Sequence, residues 1–538
     1  MSAGVPLSKL DDLVPMFNGL RANMCGSSKG KEYIGFIAEE EMRRTREEVA
    51  GKCVSVAIDC TPFSGTEVSG VTVRAVGADL KVIKRVASIH MLAASMNNKH
   101  IAAELMDAIS KKLDIQDKAL VICFNFDGAS ANRAAFRDTI PIFFTNSVFV
   151  ACMSHLMDNT GKQIDAERAS DLQGKLCSVF SHSFQAKREL KKLTDRSWPR
   201  HVAHRWGSME SSMKCILEEF AQVEVFIRTY RNSDGKRNKS CEKLQAKYLD
   251  NVNERRLLLV EISLYTDILN TLKTACLTLE GDGALAFKTY GVIQTVVATL
   301  RLDDLNAYPV LPNVESLLRG DLSGQPTAAD VAALRNHVIV CLKDIREYAT
   351  RQFGSGADVK FRQELDLFKA ARIINFAVAR QGNPDEVDPG VLSIFPFISN
   401  DDITNLRKEL PAYLTAAANA RATYPVRSFW VDNQTTLPAW YSVVEKLWLV
   451  QPSSAMMERV FSVLNNVFGK QQTVALNDLV ETTVMVRFND TDRTKGTAAQ
   501  VADFVEDTVI DGSGGGSEAS GVSQDNTGVA QANAAMEE

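Results

Sequence analysis

The sequence predicts an α/β protein in which a mixed sheet flanked by helices is followed by a large all-α block. Three observations carry this. Strand-like and helix-like runs alternate as βββαβαβ over residues 54–152, the order of an α/β layer with a mixed sheet. From about Ser208 to Ala439 nearly every segment has helical periodicity and β signals are scarce. The 538-residue chain is also several times the length of an ordinary domain.

Taken in order, residues 1–52 read as helical, with Leu10, Leu13, Val14 and Phe17 on one face and a charged stretch from Glu39 to Glu48. Val54 to Ile58 is a β-branched run; Val71, Val73 and Ala75 alternate with Thr72 and Arg74; Leu80 to Ile89 is again strand-like. Ile101, Leu105, Met106, Ile109 and Leu113 mark one helical face. ALVICFNF (Ala119 to Phe126) is the continuous apolar run of a strand covered on both sides. A helix from Ala129 to Arg137 and a buried run from Ser147 to Cys152 follow. In the helical block, Leu257, Leu258, Val260, Glu261, Leu264, Ile268 and Leu269 form a 3.6-residue stripe. Gly512 to Glu538 lacks aromatics and apolar clusters and reads as a solvated tail.

Composition narrows the class. Hydrophobic content of 45% and charged content of 24% exclude a wholly disordered, collagenous or disulfide-stapled chain. The uncharged stretch Thr139 to Ser154 is shorter than the ~20 residues a membrane span needs, so no membrane association is expected. Lys9, Asp11 and Asp12 interrupt any signal-peptide core. Ten cysteines without a CxxC pair fit a reducing compartment. The net charge of -5 includes eight acids after Lys495, which leaves residues 1–495 at about +3 and a near-neutral balance that excludes no partner.

Two aspartates stand out by position. Asp59 closes the first strand (VSVAIDCTP) and Asp127 the fourth (LVICFNFDGASAN). Carboxylates at the carboxyl ends of neighbouring strands converge at the mouth of an open sheet, where mutual repulsion is relieved by Mg²⁺ or Mn²⁺. The competing reading makes Asp127 a turn or cap residue of the DGAS segment. A third acid, Glu458 in PSSAMMERVFSVLNN, falls on the shoulder of the stripe Met457, Val460, Phe461, Leu464 and Phe468. Its alternative role is a first-turn glutamate of a helix capped by Ser453 or Ser454. Residues 185–206 hold seven Lys or Arg, Lys187, Arg188, Lys191 and Lys192 among them, against Glu189 and Asp195, which suits a phosphate backbone. Arg205 and Trp206 pair a cation with a stacking surface. A second basic island runs from Arg228 to Lys243, with a solvated loop as the alternative. Cys152, His155, Cys177 and His182 have zinc-like spacing, but Cys152 ends an apolar strand and core packing is the preferred reading.

With these residues in view, the chain resembles the hAT superfamily of DNA transposases. AIDCTPF resembles the family's first catalytic aspartate strand, NNKHIAAELMDAI the helix after the third strand, and FNFDGASANRAAF the second aspartate motif. ACMSHLMDNTGK is similar to its CxxH segment, HRWGSMESSM to its RW motif, TLKTACLTLEGDG to a part of its helical insertion, and PSSAMMERVFSVLNNVFGKQQTVALNDLVETTVMVRFN to its C-terminal dimerisation region. The resemblance implies an RNase H-like core, residues 53–207, interrupted by an all-α insertion, 208–440. Residues 441–495 would then hold the C-terminal core helix and dimerisation region, after a helical segment 1–52 and before an acidic tail 496–538. It further implies a DDE-type transposase of the nucleus in which Asp59, Asp127 and Glu458 hold two Mg²⁺ or Mn²⁺ ions, for nicking and transesterification of DNA. Trp206 and Arg205 would lie at the DNA end, and the chain would pair with itself through Phe461, Leu464, Leu476, Leu479, Val480 and Val484. Against the family pattern, residues 1–52 hold only Cys25 and no histidine where a BED-type finger is common, Thr61 replaces a frequent tryptophan, and Gln471 and Gln472 fall in an often basic stretch. The alternative is a truncated or domesticated derivative, a dimerising scaffold that binds DNA or chromatin without cutting.

Overall fold

The computed structural model describes residues 27–63, 65–92, 97–199, 207–281, 283, 285–305, 307–320, 327–354, 359–381, 387–468 and 477–495. Helix α1 (Ser27–Val49) leads into β1 (Val54–Phe63), β2 (Thr66–Val76) and β3 (Val82–Leu92); α2 (Asn98–Asp107), β4 (Val121–Phe126), α3 (Ser130–Asp138) and β5 (Val148–Ala151) follow. These strands form one sheet in the order β3-β2-β1-β4-β5. The hairpin pairs β1/β2 and β2/β3 are antiparallel, whereas β1/β4 and β4/β5 are parallel. All six residues of β4 are buried, which is why VICFNF reads as an unbroken apolar run.

Beyond β5 the described chain is helical apart from a single bridge between Arg231 and Arg237. The helices that bear on the site are α4 (Met153–Gly161), α5 (Glu167–His182), α6 (Phe184–Thr194), the 28-residue α7 (Val252–Leu279), α8 (Lys343–Phe353), α9 (Ala455–Phe468) and α10 (Asn477–Lys495). Buried apolar side chains form one contiguous cluster from Met42 to Met485, so sheet and helical block share a core. No helix among the described residues is long and apolar enough to cross a membrane.

Several elements differ from the sequence reading, each for a physical reason. β1 continues past Ile58 to Phe63 because β2 keeps pairing with it, down to Phe63 opposite Thr66. The third strand starts at Val82, since Ala78–Leu80 form a tight turn with Asp79 at φ 55° and Leu80 tucked into the core. The helix read through Leu113 widens after Asp107, where Leu113 N–H donates to Ala108 O at 2.9 Å. The stripe on α7 is buried on every side from Leu258 to Leu269; this helix is the axis of the helical block rather than an amphipathic surface.

Edge strand β3 is covered by α10. The N–H groups of Val86, Ile89 and Met91 donate to Asn489 Oδ1 (2.9 Å), Glu481 Oε1 (3.3 Å) and Asn477 Oδ1 (3.0 Å). Pairing shifts from Val71–Ser88 to Thr72–Val86, which leaves Ala87 as a bulge and turns all three N–H groups to the same edge. Asn489 Nδ2 in turn donates to Glu41 Oε1 of α1 at 2.7 Å, and an open edge is thereby closed by side chains instead of another strand. Val480 and Val484 of α10 are buried, as are Phe461 and Leu464 of α9, and Leu479 packs against the same core. The apolar residues read as a dimerisation face therefore fill the chain's own interior; Leu476 lies outside the described residues.

Asn489→Ala removes the acceptor of the buried Val86 N–H and one donor to Glu41. Urea unfolding is expected to register a loss of about 1–3 kcal/mol, whereas an unchanged midpoint would mean that water or another group replaces the contact.

Candidate active site

The site begins with register. The last parallel pair of β1 and β4 is Ile58 with Phe126, so Asp59 and Asp127 are the next residues on two adjacent strands, at the carboxyl edge of the parallel part of the sheet. On its other side Asp59 lies opposite Gly70 of β2. A Cβ at Gly70 would stand 2.4 Å from Met457 Cε and 3.5 Å from Phe461 Cε1. Glycine thus lets α9 press onto the sheet beside Asp59, and Glu458, in the first turn of α9, comes with it.

The segment before α9 is tied to the same strand ends. Asn125 Nδ2 donates to Gln451 O at 2.5 Å, Met153 N–H to Pro452 O at 2.8 Å, and Ser454 N–H to Cys152 Sγ at 3.4 Å. Ser453 Oγ donates to Leu279 O at 2.8 Å and Arg459 Nη2 to Glu280 O at 2.6 Å, which ties the C-terminal end of α7 to the site. The Ser454 hydroxyl is buried without a partner and so does not cap α9. Asp127 does make the turn contact read from DGAS: its Oδ1 accepts from Ala129 N–H at 3.1 Å and from the Asn132 side-chain amide. Oδ2 has no hydrogen-bond partner among the described residues, so the turn contact does not occupy it.

Electrostatics join the three acids to His155. Asp59 is 6% exposed, and its Oδ1 accepts from Cys60 N–H at 2.8 Å. Burial first, then the charges of Asp127 and Glu458, push its carboxyl up to about 7 against the opposing pull of His155. His155, on α4, sets its Nε2 3.9 Å from Glu458 Oε1. Interaction with Cys152, and then the charges of Asp59 and Glu458, raise the imidazole to about 10 in spite of burial. The carboxylates are the better supported cause, since Nδ1 is buried with no hydrogen-bond partner. His155 is the residue that sequence reasoning set aside as packing. Its CxxH spacing was visible, but its orientation toward Glu458 depends on a helix distant in sequence.

The donor set suits hard cations. Carboxylate oxygens are the ligands of Mg²⁺ and Mn²⁺, and like charges crowded around a buried aspartate call for positive charge. His155 Nδ1, Ser154 Oγ and Ser454 Oγ are buried nearby without partners. Among the described residues the three acids do not form a group with one ligand atom from each within 4.8 Å of the others. The group that does close to 4.8 Å is Glu261, His337 and Cys341. There Arg168 Nη1 pairs with Glu261 Oε1 at 2.9 Å and the N–H groups of Arg168 and Ala169 bind Oε2. A guanidinium already holds the cation position, and the cluster ties α5 to α7.

Lys187, Arg188, Lys191 and Lys192 are exposed on α6, where Lys187 Nζ lies 5.5 Å from the ring centre of Phe184. Arg205 and Trp206 fall outside the described residues. In the second basic island Arg228 pairs with Glu224 at 2.9 Å and Asp250 at 2.7 Å, which gives it an internal role. Cys152 and Cys177 are buried, whereas His182 is exposed. Comparison with known proteins yields no matching family model and no matching curated protein.

Two expectations follow. Asp59, raised from 3.8 to about 7, gives stability that is complete below pH 3.8 and lost as pH rises through 7; His155, raised from 6.5 to about 10, does the same between pH 6.5 and 10. Asp59→Asn should therefore match wild type near pH 4 in thermal melts and gain on it toward pH 8, by on the order of 4 kcal/mol at most. A constant difference across that range would refute a raised Asp59. At Gly70, alanine can be accommodated by swinging Met457, while Gly70→Val should cost about 1–3 kcal/mol by overpacking; equal urea midpoints for the two would contradict the close approach of α9.

Proposed function

We propose that this chain is a hAT transposase-like protein with an RNase H-like core, acting on DNA by divalent-metal-dependent phosphoryl transfer at Asp59, Asp127 and Glu458. One observation carries the reading: Asp59 and Asp127 follow the last parallel pair of adjacent strands, and their field is shared with Glu458 on a helix laid over Gly70. The strand order, with an antiparallel β1–β3 meander followed by parallel β4 and β5, supports the RNase H-like assignment.

In this reading Asp59, Asp127 and the outer carboxylate Glu458 hold two Mg²⁺ or Mn²⁺ ions. Such ions supply the charge that a phosphodiester transition state requires and lower the pKa of an attacking water or 3'-hydroxyl. The chain's own residues do the positioning. Asn132 and Ala129 N–H fix Asp127 through Oδ1, Cys60 N–H fixes Asp59, and the 451–454 segment sets where Glu458 enters. Asp59 is buried while Glu458 and His155 are 31% and 37% exposed, so substrate approaches from the α4–α9 side.

A second reading has a specific observation behind it. His155 Nε2 stands 3.9 Å from Glu458 Oε1 and its imidazole is pushed toward the protonated form, so a side chain of this protein offsets part of the acids' charge. This favours the domesticated, non-cutting DNA-binding scaffold.

Nicking of supercoiled plasmid with Mg²⁺ or Mn²⁺ separates the two. Asp59→Asn, Asp127→Asn and Glu458→Gln should each lower cleavage on the order of 100-fold or more with circular dichroism unchanged. Retained cleavage in Asp127→Asn would sink the triad, and a folded wild type that binds DNA yet never cuts would establish the scaffold.

A further inference from the structure

We propose that Arg133, Arg351 and Lys360 form a phosphate-backbone grip beside Asp127, which holds the DNA flank leading away from the acidic site. The inference rests on the DNA reading above and adds where the duplex runs. Arg133 belongs to α3, the helix that follows Asp127; its Nε donates to Gly128 O at 2.9 Å, and its guanidinium carbon stands 4.8 Å from the ring centre of Phe361. A Cβ on Gly128 would come within 3.3 Å of Arg133 Nη2, so glycine after Asp127 lets the guanidinium lie close along the backbone there.

The other two cations come from the helical block. Lys360 N–H donates to Arg351 O at 3.1 Å and Phe361 N–H to Gln352 O at 3.3 Å, which sets Lys360 and Phe361 against the end of α8. Phe361 therefore links Arg133 of the sheet layer to Lys360 and Arg351 across a wide gap in sequence. Burial and the charge of Arg133 push the Lys360 amine below its usual value. Both Arg133 and Arg351 act on the Tyr348 phenol, against the burial that raises it. These effects place the three positive charges in one field.

Among the described residues no carboxylate pairs with any of the three within 4.0 Å. Glu364 is within electrostatic reach of Arg133, but burial pushes its carboxyl up, which weakens it as a counter-charge. Like charges gathered with no carboxylate paired to them raise the local potential, and a polyanion relieves the repulsion. Continuity with Asp127 selects the polyanion: a DNA strand presents regularly spaced phosphates on either side of a scissile bond, and cations flanking an acidic centre grip those neighbours while leaving sequence unread.

The test is fluorescence anisotropy of the full chain with a labelled duplex across a range of salt. Arg133→Gln, Arg351→Gln and Lys360→Gln are each expected to weaken binding several-fold at low salt, to lower the slope of log K against log salt by about 0.9 per lost contact, and to do so alike on unrelated sequences. Arg133→Lys should retain the slope. Lys360→Gln, on a different element from Asp127, separates a lost contact from a displaced acid. If wild type binds DNA and all three variants keep its affinity and slope, the grip is wrong and the DNA reading stands. If wild type binds no DNA at low salt, both fall. Displacement of DNA from wild type but not from the variants by a polyglutamate segment that binds more tightly than the duplex would overturn the inference in favour of an acidic protein partner.

Discussion

The arrangement depends on the contact of α9 with the sheet at Gly70. The missing Cβ at Gly70 leaves room for the end of the Met457 side chain, with Phe461 in ordinary contact beside it, and a branched residue there would force α9 outward. Glu458, in the first turn of the same helix, is thereby brought into electrostatic contact with Asp59 and to 3.9 Å from His155. The ties of Asn125, Cys152 and Met153 to residues 451–454 then fix the angle at which the helix enters. Asn125 is a buried polar residue in an apolar strand, and its amide satisfies a carbonyl that would otherwise be stranded.

Charge is the second organising force. Negative groups concentrated around a buried aspartate are tolerated because His155 faces them, and the helical block contributes its own balanced centre at Glu261, where Arg168, His337 and two N–H groups surround a carboxylate 1% exposed. Burial alone would push Glu261 up, yet these partners outweigh it and hold the carboxyl low. The contrast is informative. Glu261 has every oxygen engaged and joins helices, whereas Asp127 leaves an oxygen without a partner among the described residues and faces a neighbouring acid.

Much of the strand layout was legible because β-branched and alternating runs report burial directly, and Asp59 and Asp127 announced themselves by ending such runs. Glu458 was legible from its angle on the helical wheel. The roles of Gly70, Asn125 and His155 were not, since each depends on a partner hundreds of residues away that no local period encodes. What covers the apolar positions Phe461, Leu464, Val480 and Val484 is not legible for a related reason. Periodicity says that a face is covered, but it cannot distinguish the chain's own sheet from a second copy. The end of β1 was misjudged because the parallel and antiparallel partners of one strand stop at different residues.

The placement of the acids along the chain also has a consequence in time. Asp59 and Asp127 emerge early in synthesis, while Glu458 and the α10 helix that seals β3 emerge only after the whole helical block. Contacts of such long sequence separation form late and slowly. A ribosome-bound fragment therefore carries Asp59 and Asp127 beside an unsealed sheet edge, and an interrupted message yields a product that has neither Glu458 nor the closure of its own sheet.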